Sequence, residues 1–272
     1  MDFHHLVVVK PGALGDTLLL APALRSVRLA RPGMSVTVVG TPPSVELLVL
    51  LGVADAVFSF DRLRLYGAVR PGDPGFGAAA VMAFLPGRQE GEGDPFRARG
   101  ARRVVRAPSR PGAGGPHVAA YLHGALERLL GRLPPPTLEP FVVAPLSRTP
   151  VPNPYVAVAP GAGGVGKLLP MARFEAIAAD AATRGLHPVF VAGEVEVDRG
   201  LLEGFPEAFP RWVCPTLTEL AGLLAGARAF YGNDSGPGHL AGLLGTDTTV
   251  FFGPTDPDVW RPWGPRVTVE RF

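Results

Sequence analysis

Cysteine is nearly missing from this chain of 272 residues: Cys214 stands alone, which excludes a disulfide scaffold and a cysteine-built zinc site. Lysine is as scarce, because of 26 Lys and Arg residues only Lys10 and Lys167 are lysines. Asparagine occurs only at positions 153 and 233 and glutamine only at 89, against 31 prolines. That bias fits a thermophilic protein, and a GC-rich genome would leave the same mark. Long apolar runs are also missing. The longest candidate, residues 45–60, is interrupted by Glu46 and Asp55 and contains Gly52, short of the about 18 apolar residues a membrane span needs. The mean hydropathy of +0.22 therefore reflects a buried core. The N-terminus runs from Met1-Asp2-Phe3-His4-His5 straight into Leu6-Val7-Val8-Val9. With no basic leader and no small-residue cleavage site there, a cytoplasmic protein is expected. A net charge of +2 is too small for binding driven by phosphate neutralisation, so nucleic acid is not an expected partner.

Hydrophobic residues make up 47% of the chain and charged residues 18%, enough to bury a substantial core. Glycine and proline punctuate the ends of apolar runs without a fixed period. Short β-branched runs alternate with helical patterns, the signature of parallel α/β sheets. In the first half, strands are predicted at 5–10, 35–39, 56–60, 78–85 and 103–106, with helices at 17–30, 44–51 and 116–132. The helix over 17–30 rests on Leu20, Ala23, Leu24, Val27 and Ala30 recurring at intervals of three and four. Prolines then crowd residues 134–154, which suits a stiff connection. Beyond it strands are predicted at 155–159, 188–192, 211–213, 229–231 and 248–252, with helices at 171–184, 197–202, 217–227 and 237–244. The expected architecture is two Rossmann-like, doubly wound α/β domains facing a cleft: an N-terminal domain 1–135, a proline-rich linker 136–154 and a C-terminal domain 155–272. Ligands are expected at the carboxyl ends of the strands.

Three segments carry chemistry. Lys10-Pro11-Gly12-Ala13-Leu14-Gly15-Asp16 follows the first strand. Gly12 and Gly15 let the backbone approach a ligand, and Asp16 is either a reactive carboxylate or a helix cap. The second segment, Pro160-Gly161-Ala162-Gly163-Gly164-Val165-Gly166-Lys167-Leu168-Leu169-Pro170, formally matches both GxGxxG and GxxxxGK. A phosphate-loop kinase is excluded, since Leu168 stands where Ser or Thr would hold magnesium and Pro170 falls within the first helical turn. The dinucleotide pattern lacks its acidic residue about twenty positions on, because the next strand closes only at Glu194. What survives is a glycine-rich anion loop with one lysine. Both lysines of the chain sit in such loops, where a compact point charge differs from a planar fork. The third segment, Asn233-Asp234-Ser235-Gly236-Pro237-Gly238-His239, reads as an exposed helix N-terminus whose N–H groups suit phosphate. His239 either joins that site or is a capping or core histidine.

Weaker signals complete the reading. Thr216-Leu217-Thr218-Glu219 fits a capping box, and Asp256-Pro257-Asp258 fits a turn better than a metal motif. Arg97, Arg99, Arg102, Arg103, Arg106 and Arg110 form a basic cluster. It is either a solvated face or a surface for an anionic acceptor or lipid.

Taken in order, these segments resemble glycosyltransferase family 9, the ADP-heptose–lipopolysaccharide heptosyltransferases. The resemblance rests on Gly15-Asp16 with Pro22-Ala23-Leu24, Pro160-Gly161 with Lys167 and Pro170, and Thr216 with Glu219-Leu220. It continues through Asn233-Asp234-Ser235-Gly236 with His239-Leu240-Ala241 to Phe252-Gly253-Pro254-Thr255-Asp256. Leu169 replaces an aromatic residue usual in the family, and Ser235 a threonine. The resemblance implies a GT-B fold and an inverting, metal-independent transfer of a heptose-like sugar, with no cofactor. The donor would be a nucleotide-diphosphate sugar, ADP-linked by the family's habit, and the acceptor a cell-envelope glycan or lipid, with peripheral contact at the inner membrane face. It implies Asp16 as base on the acceptor hydroxyl, and Lys10, Gly12 and Gly15 in the acceptor-side loop. Lys167, Asp234, Ser235, Gly236 and His239 would hold the donor diphosphate, and either Glu194 or Glu196 the nucleoside. The alternative is a non-catalytic nucleotide-sugar or phosphate-binding protein of the same fold.

Overall fold

A computed structural model of the chain describes residues 3–63, 76–77, 79–85 and 94–272. The chain divides into two compact units, Met1–Thr137 and Leu138–Phe272, each a parallel sheet flanked by helices.

The first unit runs β1 (His5–Val9), α1 (Leu14–Leu18), α2 (Ala21–Ala30), β2 (Ser35–Gly40), α3 (Glu46–Leu50), β3 (Ala56–Ser59), β4 (Ala80–Ala83), β5 (Arg103–Arg106) and α4 (Val118–Leu130). All its strand pairs are parallel, in the order β3-β2-β1-β4-β5. Central β1 is hydrophobic on both faces, with Leu6, Val7, Val8 and Val9 fully buried, as a strand covered by helices on both sides must be. The order reverses direction between β1 and β4, so the loop after β1 opens at the topological switch point. Position 78, the predicted start of the fourth strand, lies outside the described residues.

The single helix predicted over 17–30 is two. Pro22 has no N–H to donate and its ring would collide with the carbonyl one turn earlier. The chain therefore ends α1 at Leu18 and restarts with proline in the first turn of α2.

The second unit runs β6 (Tyr155–Ala159), α5 (Met171–Thr183), β7 (His187–Ala192), α6 (Glu194–Asp198), β8 (Arg211–Val213), α7 (Leu217–Gly226), β9 (Ala229–Asn233), α8 (Gly236–Leu243), β10 (Asp247–Phe252), α9 (Pro257–Trp260) and β11 (Val267–Arg271). The strand order is β11-β10-β9-β6-β7-β8, and every pairing is parallel. Its switch point lies between β6 and β9. The core beside it is aromatic: Phe174 meets Phe251 edge-on at 5.6 Å, and Phe190 meets Phe205 at 5.9 Å.

The proline-rich segment has partners of its own in the second unit. The Phe141 amide donates to the Leu243 carbonyl at 2.8 Å and the Leu146 amide to the Gly222 carbonyl at 3.2 Å. The first bond reaches the last residue of α8 and the second the middle of α7.

The basic cluster is not one solvated face. Arg99 and Arg106 are buried. Arg106 donates through Nε and Nη2 to Asp94 Oδ2 at 3.0 and 2.9 Å and lies over the Phe96 ring, 5.1 Å from its centroid. Arg97, Arg102 and Arg110 are exposed.

Candidate active site

The predicted site residues lie after β1, at the switch point of the first unit, and after β6, β7 and β9 in the second. In the first unit, Lys10 closes β1 and is almost wholly buried, at 1% exposure. Its Nζ donates to the Ser109 carbonyl at 3.3 Å, tying the loop after β5 to the loop after β1. Burial pulls the lysine below its ordinary range, and the nearby Asp16 carboxylate partly restores it. Gly12 lies close against Asp16: a Cβ there would sit 3.1 Å from Asp16 Cβ, a tight contact, and its amide donates to Thr41 Oγ1 at 3.2 Å.

Asp16 is not the cap of α1. Ala13 occupies that position and no side chain caps the helix there. Asp16 instead lies in the first turn, half-buried, where the partial positive charge of the helix N-terminus favours a carboxylate. Gly15 precedes it in the same turn.

In the second unit, the loops after β6, β7 and β9 come together. Asn233, the last residue of β9 and completely buried, donates from Nδ2 to the Pro160 carbonyl at 2.6 Å. Its Oδ1 accepts from the Leu169 amide at 3.2 Å. Between those anchors the glycine-rich loop carries Lys167, whose Nζ reaches Asp234 Oδ2 at 2.6 Å. The Asp234 side chain is 5% exposed and that of Lys167 34%. His239, buried in the first turn of α8, places Nε2 3.9 Å from the other Asp234 oxygen. Asp234 thus serves as the lysine's partner. Its amide is also engaged, donating to the Phe251 carbonyl at 3.0 Å.

Ser235 is the extended N-cap of α8, its hydroxyl donating to the Asn233 carbonyl at 3.1 Å. The amides of Gly236 and Gly238 then fall in the first turn, where a helix supplies no carbonyl to accept them. Partial positive charge and an ammonium therefore converge at the carboxyl end of β9.

Glu194 and Glu196 open α6 after β7. Glu196 is buried, its Oε2 accepting from the Gly193 amide at 2.8 Å. Its carboxylate lies directly against Gly161, where any Cβ would collide with it. Glu194 is exposed. From the end of α6, the Arg199 guanidinium donates to the Ala162 and Gly163 carbonyls at 3.3 and 2.9 Å.

Thr216 and Glu219 form the reciprocal capping box expected of them, and Asp256 caps α9. Among the described residues, no group of three or more His, Cys, Asp or Glu side chains is placed to hold a metal ion. No described helix is long and apolar enough to cross a membrane.

Comparison with known proteins speaks to both units. The family model for glycosyltransferase family 9 (heptosyltransferase) matches residues 138–271, the second unit almost whole. Through its second unit the chain is similar to glycosyltransferase family 9. It is 30% identical over 118 residues to lipopolysaccharide heptosyltransferase 3 of Escherichia coli, a match covering 40% of this chain and 34% of that protein's length. In fold it is similar to a family 9 glycosyltransferase from Veillonella parvula, with a TM-score of 0.73, 17% identity, and coverage of 100% of this chain and 86% of that one. It is also similar to E. coli heptosyltransferase WaaC with ADP, with a TM-score of 0.70, 18% identity, and coverage of 98% and 93%. Both fold likenesses span the first unit as well, so the two parallel-sheet units share the GT-B-type fold of those proteins.

Asn233 was named only as part of its motif, without a role, and Arg199 was not singled out at all. Asn233 had one signal: asparagine is nearly absent from this chain, yet one copy stands at the end of a strand beside the anion site.

Proposed function

We propose that the chain is an inverting glycosyltransferase that moves a heptose-like sugar from an ADP-linked donor to an anionic cell-envelope glycan or lipid. The observation that carries this reading is the convergence of Lys167 Nζ with the N-terminus of α8 at one switch point, while Asp16 stands in a first helical turn at the other. A departing diphosphate needs fixed positive partners, and preorganised N–H donors with an ammonium are the largest stabilisation such a site offers. Lys167 has three N–H donors. One serves Asp234, and two remain for phosphate oxygens. With that charge in place, the reaction is proposed to need no metal.

The acceptor hydroxyl is a poor nucleophile, and a positioned carboxylate contributes about 10²–10⁴-fold by taking its proton as the bond to the anomeric carbon forms. Asp16 fills this role, being neither a helix cap nor buried in an ion pair. On the donor side, Glu196 lies against the phosphate loop and is the better placed of the two glutamates to meet the ribose. Arg110 directly follows Ser109, whose carbonyl holds Lys10. Exposed there, it favours an anionic acceptor or contact with an anionic membrane surface.

The test is nucleotide release from ADP-, UDP- and GDP-sugars, with and without envelope extract. ADP release that requires extract and survives EDTA is expected. Binding of a sugar nucleotide without any turnover would point to a non-catalytic binding protein, and abolition by EDTA with rescue by Mg²⁺ or Mn²⁺ would overturn metal independence.

A further inference from the structure

Four of the ten residues in the loop 160–169 are glycines, yet the loop must present Lys167 at a fixed point. Glycine carries the largest conformational entropy of any residue, so an unbraced loop here would lose freedom when it bound a ligand, and affinity with it.

The structure supplies braces from outside the loop. Asn233 joins its two ends, Pro160 through the carbonyl and Leu169 through the amide. That side chain is completely buried, so both bonds are made away from competing water and leaving either partner unsatisfied is costly. Arg199 grips the crown by two consecutive carbonyls, Ala162 and Gly163. Together these two side chains fix four backbone groups of the loop, three carbonyls and one amide.

We propose that Asn233 and Arg199 are positioning residues that preform the diphosphate-binding loop and act on the donor only through Lys167 and the loop backbone. Arg199 extends from α6, the helix that opens with Glu194 and Glu196, so the same brace links the helix next to the nucleoside with the loop next to the phosphates. This inference rests on the donor-site reading given above.

The test measures affinity for ADP and for adenosine in the full chain, for wild type, Asn233→Ser, Arg199→Ala and each of these combined with Lys167→Ala. A lost hydrogen bond of ordinary strength corresponds to about 2–10-fold. Each single variant is expected to weaken ADP by about that factor while leaving adenosine within about twofold. The loss should shrink when Lys167 is already absent, because residues acting through one another are not additive.

Equal losses for ADP and adenosine, or full additivity with Lys167→Ala, would overturn the proposal and leave Asn233 and Arg199 with a purely structural role. Arg199 is exposed and its variant removes only surface bonds, so it carries the test if Asn233→Ser does not fold. Tight ADP binding by wild type with unchanged variants would refute the brace and spare the donor site. Absence of ADP binding by wild type would refute both.

Discussion

Lys167 has two tasks that one substitution separates. Its Nζ neutralises Asp234, a carboxylate 5% exposed, and in the proposed function it meets the donor diphosphate. Lys167→Ala should therefore destabilise the protein modestly, because a buried acid loses its nearest cation. It should also weaken ADP far more than adenosine, with Lys167→Arg milder on both counts. Titration calorimetry with the two ligands checks this, and equal losses would remove the lysine from the phosphate site. Lys10 was legible from the same scarcity argument, and so was its loop. That it would be buried and bonded to Ser109, ninety-nine positions away, was not, because such a contact depends on the strand order. Asp16 shows the converse. Spacing alone left a cap and a reactive carboxylate equally open, and the backbone at Ala13 removes only the cap.

Element by element, local signals were read correctly and edge signals were not. The Thr216–Glu219 box is complete within four residues, so sequence suffices to place the start of α7. The helix after β7 was predicted over 197–202, yet α6 spans Glu194–Asp198, begun by Gly193 with Glu196 folding back and ended before left-handed Gly200. Val195 and Val197 are exposed, and apolar residues facing water misplace a periodicity built on burial. Edge strand β11 escaped because it buries little on either face. Two predictions belong at this scale. Asp94→Ala strands the buried Arg106 guanidinium and should cost about 3–5 kcal/mol in urea denaturation. A loss below about 1 kcal/mol would mean that the pair is solvated. In β6, burial pushes the Tyr155 phenol up to about 12, while its hydroxyl donates to the Leu223 carbonyl at 2.6 Å. The folded state then keeps a proton that the unfolded chain releases from about pH 10 upward, so stability should fall as pH rises through about 10–12. Tyr155→Phe should be less stable at neutral pH and should flatten that slope, which denaturation at about pH 9 and 11 would show.

At the scale of the whole molecule, the two units repeat one plan: a parallel sheet whose first strand ends at a reversal of strand order, with a glycine-containing loop and one of the chain's two lysines placed there. This plan was legible because both first strands read as continuous apolar runs followed by glycine. The division at Thr137/Leu138 was less so. Crowded prolines suggest a spacer by composition, whereas the amides of Phe141 and Leu146 are bonded to the second unit. The proposed function assigns base chemistry to the first unit and donor chemistry to the second. The measurement that tests this most directly is single-turnover ADP release from an ADP-heptose donor with envelope acceptor, for wild type and Asp16→Asn at matched ADP affinity. Acceptor-dependent release by wild type and a fall of about 10²-fold or more in the variant, with donor binding and melting temperature unchanged, are expected. Equal release by the two proteins would contradict the assignment and leave Asp16 as a carboxylate that merely complements its helix.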